Sequence, residues 1–167
     1  LIHEDLAHYE WEGRAPKPQG NILAQGRLSQ GNVEQAWAQC AVIHEDTYST
    51  PVVHHGFTQP HETTAMVDSS GRIIIWAANK APYQLRQMVA QALAVPIHRI
   101  RVAQIGIGGD FGGKGSAQTE PICVLLAMKS GHPVRLTLSR EEELTSTYIK
   151  EATTINLKAG ISRDGKL

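Results

Sequence analysis

The most unusual segment of the sequence reads Gly106-Ile107-Gly108-Gly109-Asp110-Phe111-Gly112-Gly113-Lys114-Gly115-Ser116. Six glycines surround a single aromatic residue there. Because glycine loses more backbone entropy on folding than any other residue, so many glycines are costly in a plain surface turn. A glycine loop between a strand and a helix also exposes backbone N–H groups, which attract anions. We therefore interpret residues 106–116 as a functional loop.

Two phosphate-binding patterns match this loop in part. The dinucleotide pattern GxGxxG fits at Gly106 and Gly108, but Phe111 stands where its third glycine belongs. The P-loop pattern GxxxxGK[ST] fits up to Lys114, but Gly115 replaces the hydroxyl that binds magnesium. Both matches are incomplete. They leave open a non-catalytic anion- or nucleotide-binding module that uses the glycine loop.

Hydrophobic periodicity around the loop predicts a mixed α/β (α+β) fold with a mixed sheet and two main helices. The first helix begins at Pro82 and ends at Ala94, with apolar residues recurring on one face. The second covers residues 119–129 and is apolar on every side, which predicts an interior position. Strands are predicted at residues 40–48, 66–67, 73–76, 99–105, 134–138 and 154–157, and Ser29 is expected to cap a short helix at residues 32–37.

The two ends of the chain differ from this pattern. Residues 1–28 are polar, contain prolines and show no sustained periodicity, so they are predicted to form a linker or arm. Residues 29–167 are predicted to form the folded domain. A hairpin turn signal at residues 163–166 comes just before the last residue, so we expect the domain to be truncated at its C-terminal end.

Composition excludes several classes of protein. Sixteen basic and sixteen acidic side chains cancel, which argues against a broad nucleic-acid surface. No apolar run approaches the roughly 20 residues of a membrane span, and we expect a cytoplasmic protein. The two cysteines, Cys40 and Cys123, lack the CxxC spacing of a structural zinc site.

Histidines and acidic residues form two further groups. His54, His55, His61 and Glu62 lie close together in the sequence, but not in an HExxH arrangement. A solvated or hydrogen-bonded cluster is favoured for them, with a zinc hydrolase as the alternative. The charged run at residues 140–143 is predicted to be a solvated helix start.

Taken in order, several segments resemble the molybdenum-binding large subunit of the xanthine dehydrogenase/aldehyde oxidase family. The GGxFGGK pattern of residues 108–114 resembles that family's cofactor loop, and the resemblance extends from roughly Val33 to the end of the chain. The other matching segments are His55-Gly56-Phe57-Thr58-Gln59-Pro60-His61, Lys80-Ala81-Pro82, Val95-Pro96-Ile97-His98-Arg99-Ile100-Arg101-Val102, Gly131-His132-Pro133-Val134-Arg135 and Ser139-Arg140-Glu141-Glu142. Residues 29–167 are accordingly expected to be part of a molybdopterin-binding domain.

The resemblance implies a cofactor and a set of residues that contact it. The cofactor is a molybdopterin with molybdenum, in the cytosine dinucleotide form for a bacterial member. Its own dithiolene holds the metal, so no side chain here is expected to be a metal ligand. The backbone of Phe111-Gly112 is expected to approach the apical oxygen of the metal. The cofactor-binding residues implied are Lys80, Gly108, Gly109, Asp110, Phe111, Gly112 and Gly113.

The implied reaction is hydroxylation of an aldehyde or an N-heterocycle with oxygen from water. Electrons would pass to iron–sulfur and FAD centres on partner segments or subunits. The partners implied are the remainder of the large subunit, those iron–sulfur and flavin subunits or domains, and a small-molecule substrate. The family's general base is a glutamate outside these residues, so no catalytic residue is assigned and the isolated chain is expected to be inactive.

Four positions depart from the family's pattern. Asp110 replaces a glycine of many members, and an acidic side chain is tolerable there if it points outward. Lys80 stands where many members have a glutamine that hydrogen-bonds the apical oxygen, and Gln59 stands where a glutamate is common. Gly115 replaces the carboxylate that contacts substrate in purine-oxidising members, which weakens xanthine as the substrate.

Overall fold

The computed structural model describes residue 22 and residues 24–166. Within them the chain divides into two compact units, one formed by the residues up to Asp46 together with those from Asn156 onward, the other by Thr47–Ile155. Most of the linker predicted over residues 1–28 lies outside the described residues, so it stays a prediction.

Secondary structure in the described residues comprises four α-helices, eight strands and a short 3-10 helix at Ile97–Arg99. In chain order the elements are α1 (Val33–Trp37), β1 (Val42–Thr50), β2 (Val53–His54), β3 (Glu62–Val67), β4 (Ile73–Ala77), α2 (Pro82–Ala92), β5 (Ile100–Gln104), α3 (Glu120–Ser130), β6 (Val134–Thr137), α4 (Arg140–Ser146), β7 (Ile149–Lys150) and β8 (Thr153–Ile161). None of the described helices has the length and apolar character needed to cross a bilayer.

A four-stranded mixed sheet forms the centre of the larger unit, in the order β5-β4-β3-β6. β3 and β4 form an antiparallel hairpin, and β6 pairs antiparallel with the other edge of β3. β5 runs parallel to β4 because α2 carries the chain back across the sheet. The predicted mixed sheet with two main helices is confirmed.

The two main helices pack on this sheet and close the core. Proline at the first position starts α2, and the left-handed Gly131 ends α3. α2 ends at Ala92, two residues before the predicted end. The buried core consists of Ala65, Ile73, Ile75, Ala77, Leu85, Val89, Ile100, Cys123, Val124 and Ala127.

α3 differs from the sequence prediction. Only part of its circumference contacts the sheet, and its remaining apolar side chains are exposed, namely Ile122, Leu125, Leu126 and Met128. The prediction that this helix is interior is therefore wrong for the described residues, because none of their other elements covers its second face.

Two short elements matter for the site. Ser139 caps α4 through a capping box with Glu142, which fixes the residue at which this helix begins. β2 pairs antiparallel with β7, so residues 53–54 lie beside residues 149–150. This pairing brings the chain after α4 next to the segment that precedes β3.

The smaller unit contains α1. Asn32 caps this helix by accepting the N–H of Gln35 at 3.1 Å, so the predicted cap at Ser29 is wrong. Asn32 is the residue directly before the helix, the position from which a side chain reaches the free N–H groups. β1 and β8 form a two-stranded sheet. The predicted turn after β8 is confirmed by a hydrogen bond from the N–H of Ser162 to the carbonyl of Lys166 at 2.9 Å.

Candidate functional site

The glycine loop connects β5 to α3 and turns sharply at its tip. Three of its residues have left-handed backbone angles: Gly109 with φ +95°, Phe111 with φ +48° and Gly112 with φ +106°. A left-handed conformation is costly for a bulky residue such as phenylalanine. The Phe111 side chain is also 67% exposed. A strained, exposed aromatic residue therefore marks the tip of the loop.

Gln59 clamps the start of the loop. Its backbone N–H donates to the carbonyl of Gly108 at 3.0 Å, and its side-chain Oε1 accepts the N–H of Gly108 at 2.7 Å. We call this pair of hydrogen bonds the Gln59 clamp. Sequence reasoning singled out Gln59 only as a departure from the family's pattern and missed this contact.

Three glycines of the loop lie directly against residues 57–59. A Cβ on Gly113 would lie 2.6 Å from Cε1 of the buried Phe57 ring, and one on Gly109 would lie 2.8 Å from the Cβ of Phe57. A Cβ on Gly108 would lie 2.6 Å from the Cβ of Gln59. These glycines are needed so that the loop can approach its own chain.

Asp110 closes the loop from inside. Its carboxylate accepts the N–H of Lys114 at 2.6 Å, the N–H of Gly112 at 3.0 Å and the ammonium of Lys80 at 2.8 Å. Burial raises the pKa of the Asp110 carboxyl, but the hydrogen bonds from Lys80 and the two amides outweigh it and hold the pKa below its usual value. The side chain does not point outward, because two amides of the loop and the ammonium of Lys80 meet its carboxylate.

Lys80 lies at the edge of the loop. Its backbone N–H donates to the carbonyl of Lys114 at 3.0 Å, and its half-exposed ammonium is held by Asp110. A Cβ on Gly115 would lie 3.0 Å from Cε of Lys80. The structure thus brings Lys80, Asp110 and Gly115 together on one side of the loop.

Lys114 points into the protein. Its side chain is fully buried, its Nζ donates to the carbonyl of Gln59 at 2.6 Å, and it lies 4.4 Å from the centre of the Phe57 ring. Burial lowers the pKa of this ammonium, while the carboxylates of Glu143 and Asp110 oppose that shift. A P-loop lysine must reach the phosphates of its ligand. The ammonium of Lys114 instead contacts the carbonyl of Gln59 and the ring of Phe57. The main support for a P-loop is therefore lost.

The histidine cluster is hydrogen-bonded, as favoured from the sequence. Nδ1 of the buried His61 lies 2.9 Å from Oε1 of Glu143, and Nε2 of His54 lies 3.1 Å from Oγ1 of Thr147. Nδ1 of His55 lies 3.1 Å from the carbonyl oxygen of Tyr148.

The fourth member of that cluster, Glu62, binds Arg135 at 2.8 Å. The four side chains therefore have different partners. Among the described residues, no three His, Cys, Asp or Glu side chains converge as metal ligands. The zinc hydrolase alternative has no support in this geometry.

Glu143 is a residue whose role the sequence prediction missed. The start of α4 was predicted to be solvated, but the Glu143 side chain is fully buried. The capping box of Ser139 and Glu142 contains the relevant signal. It fixes where the helix begins, and residue 143 then falls on a different side of the first turn from Glu141.

The close contact of Gly113 with Phe57 gives a direct test. We expect Gly113→Ala to lower the free energy of unfolding by about 1–3 kcal/mol, because the added methyl must displace a buried ring. Gly106→Ala is the matched control, since a Cβ at Gly106 meets nothing within 4 Å. Urea unfolding measures both variants, and equal stabilities would contradict the packing described here.

Comparison with known proteins shows which proteins this chain is similar to. A family model of the molybdopterin cofactor-binding domain matches residues 15–167. The xanthine dehydrogenase molybdenum-binding subunit of Escherichia coli O157:H7 is 36% identical over 149 residues, which cover 89% of this chain and 20% of that relative. The nicotinate dehydrogenase large molybdopterin subunit of Eubacterium barkeri is 34% identical over 147 residues, which cover 88% of this chain and 35% of that relative. The chain thus spans between a fifth and about a third of the length of these two relatives.

A solved structure shares the fold. Quinoline 2-oxidoreductase from Pseudomonas putida 86 superimposes with a TM-score of 0.74 and 24% identity, over 90% of this chain and 20% of that one. The resemblance seen in the sequence is confirmed by the match to the family model over nearly the whole chain. The chain belongs to the molybdopterin cofactor-binding domain family, whose members among its relatives are molybdenum-dependent oxidoreductases.

Proposed function

We propose that the glycine loop is the part of this domain that holds the molybdopterin, through residues 108–113 and Lys80. The observation that carries the proposal is the contrast between the two sides of the loop. One side is fixed by the Gln59 clamp and by the buried Lys114. The tip bears a strained and exposed Phe111. Strain of this kind persists at binding sites because the surrounding contacts impose it.

The donors available at the tip fit such a cofactor. In the described part of the chain, the N–H groups of Gly109 and Phe111 donate to no protein acceptor. Uncharged amides of this kind suit the oxygen atoms of a pterin and its phosphate. The exposed ring of Phe111 adds an apolar surface beside them. We infer that the tip contacts the cofactor with backbone groups and one aromatic side chain.

Lys80 supplies a positive charge next to this tip. Its ammonium donates to Asp110 at 2.8 Å and retains two further N–H donors on a half-exposed side chain. Asp110 keeps that side chain in place and accepts the N–H of Gly112. The role of Lys80 in this proposal is to orient an oxygen-bearing group, while Asp110 holds the loop around it.

We propose that the full-length protein is a hydroxylase acting on an N-heterocycle or an aldehyde. When bound, a molybdopterin with its molybdenum supplies the oxidation chemistry, and the protein supplies binding and orientation. The names of the two relatives refer to xanthine and nicotinate, both N-heterocycles, which supports this substrate class.

The proposal extends to partners. Cys123 is buried in the core and Cys40 has no second cysteine beside it in the described residues. Iron–sulfur and FAD centres on other segments or subunits would therefore carry the electrons, and both relatives are named as subunits. We further propose the cytosine dinucleotide form of the cofactor, contact with the remainder of a large subunit, and a cytoplasmic location.

The assignment of the cofactor to the loop tip is tested with the full-length protein. We expect Phe111→Ala to speed the loss of molybdenum and pterin about two- to tenfold, because an aromatic contact contributes about 0.5–1.5 kcal/mol. Tyr48→Ala is the matched control, since it removes another exposed aromatic side chain, on β1 and outside the loop. Elemental analysis and the fluorescence of the released pterin follow the loss after dilution. Equal loss from both variants would place the cofactor elsewhere.

The nucleotide-binding alternative makes a different prediction. If the loop were a P-loop, Gly115→Ser would restore the hydroxyl that binds magnesium and strengthen the binding of Mg-ATP. Because Lys114 is buried under the loop, we expect calorimetry to show no saturable binding of Mg-ATP to either the wild type or Gly115→Ser. Saturable binding that increases in the variant would overturn the molybdopterin assignment.

A further inference from the structure

The segment that clamps the glycine loop is itself held by the start of α4. Arg140 donates from Nη1 to the carbonyl of Phe57 at 3.0 Å and from Nη2 to the carbonyl of Thr58. The N–H of Leu138 donates to the carbonyl of His61 at 3.0 Å. The position of residues 57–61, and with it the Gln59 clamp, therefore depends on residues 138–143.

Glu143 makes the most enclosed of these contacts. Its fully buried carboxylate accepts the backbone N–H of His61 at 2.5 Å, Nδ1–H of the same residue at 2.9 Å and the hydroxyl of Thr147 at 2.8 Å. A carboxylate with this many donors is held in one orientation. It fixes both the backbone and the ring of His61.

A chain of contacts leads from this carboxylate to the loop. The His61 ring packs edge-on against the ring of Phe57, with centres 5.6 Å apart. Phe57 in turn packs so closely against Gly113 that no Cβ fits between them. Nε2 of His61 is buried and has no hydrogen-bond partner in the described residues. The orientation of this ring thus depends on Glu143 and on packing against Phe57.

The charges around Glu143 come from several elements. Nε2 of His54, on β2, lies 3.7 Å from Oε1 of Glu143. The buried Lys114 approaches from the loop, and Glu143 favours its charged form. Arg140 belongs to the same helix and points to the carbonyls of Phe57 and Thr58. Glu143 is therefore one of two carboxylates, with Asp110, that face the buried ammonium of Lys114, and a buried charge that loses a partner is costly.

We propose that Glu143 is a positioning residue: its buried carboxylate, acting through His61 and Phe57, places the glycine loop and so determines how long the molybdopterin stays bound. This inference rests on the proposed function of the loop. Glu143 touches neither cofactor nor substrate in this account. Its effect reaches the tip through residues 57–61 and through Lys114.

The variant Glu143→Gln separates charge from shape. Glutamine has nearly the same size, but it is uncharged and has one acceptor oxygen in place of two. It therefore weakens the hydrogen bonds to His61 and Thr147 and removes one of the two carboxylates that face Lys114. A hydrogen bond to a charged group changes an equilibrium by about tenfold or more. We expect molybdenum and pterin to leave the full-length variant about ten times faster than the wild type at pH 7.

The pH dependence of that difference identifies the charge as the cause. Burial raises the pKa of the Glu143 carboxyl, but the hydrogen bonds from His61 and Thr147 outweigh it and keep the pKa below its usual 4.5. A carboxyl with a lowered pKa stabilises the folded site above its unfolded pKa, and this contribution is lost as the pH falls through the folded pKa. The wild type and Glu143→Gln should therefore lose cofactor at the same rate once the pH is well below 4.5. A role in packing alone would leave the two rates equal at every pH, because glutamine keeps the size of the side chain.

The experiment measures the half-time of molybdenum and pterin loss after rapid dilution of the full-length proteins from pH 7 into buffers of decreasing pH. Glu141→Gln is the matched control, because it is the same change on the same helix at an exposed residue. A Glu143→Gln protein that loses cofactor as slowly as Glu141→Gln would overturn the inference, as would a difference that persists in acid. A wild type that contains no molybdenum would instead overturn the proposed function.

A second variant covers the case in which Glu143→Gln does not fold. Arg140→Lys keeps the positive charge but cannot donate to the carbonyls of Phe57 and Thr58 in the same forked geometry. We expect it to lose cofactor several times faster than the matched control Arg135→Lys, whose arginine binds Glu62 on the surface. Equal rates for these two variants would contradict the proposal.

Discussion

Two hydrogen bonds between Gln59 and Gly108 join parts of the chain that are 49 residues apart. The rest of the site depends on this clamp, since it fixes the start of the glycine loop against residues 57–59. The clamp is possible only because Gly108, Gly109 and Gly113 carry no Cβ that would hold the two segments apart. The cost of ordering so many glycines is thus offset by contacts that no larger residue could make.

Charged groups beneath the loop also hold it in place. Lys114 lies beneath the loop, and carboxylates face it from Asp110 within the loop and from Glu143 on α4. Buried polar groups that satisfy one another specify a single arrangement, whereas the loss of one member leaves a costly charge. The loop is consequently rigid where it meets its own chain. The strained tip at Phe111 can exist because the residues on either side of it are fixed in this way.

The sequence was informative where one local rule determines the outcome. Pro82 and the apolar periodicity predict α2, and the turn residues 68–71 between the strands predicted at 66–67 and 73–76 indicate the hairpin of β3 and β4. Likewise, the order of several short motifs indicates the family, which the match over residues 15–167 confirms. These features depend on neighbours in the chain. They can therefore be read without the tertiary structure.

Other features depend on contacts between distant residues, and the sequence did not predict them. The charged run that begins at Arg140 is typical of a solvated face, yet the tertiary fold buries Glu143 beside His61, which lies 82 residues earlier. Asp110 turns inward because Lys80, which is 30 residues away, meets it. Half of α3 stays exposed because apolar character does not indicate what covers a helix. The site residues proposed from the family's pattern lie together around the loop, but their contact with a cofactor stays a prediction.

The most direct test of this account is an experimental structure of the full-length protein loaded with its cofactor. We expect the molybdopterin to contact residues 108–113 at the loop tip. We also expect Oε1 of Gln59 to stay within a hydrogen-bond distance of about 2.7–3.2 Å from the N–H nitrogen of Gly108. A cofactor bound away from the tip, or a loop whose Gly108 amide has left Gln59, would contradict the account.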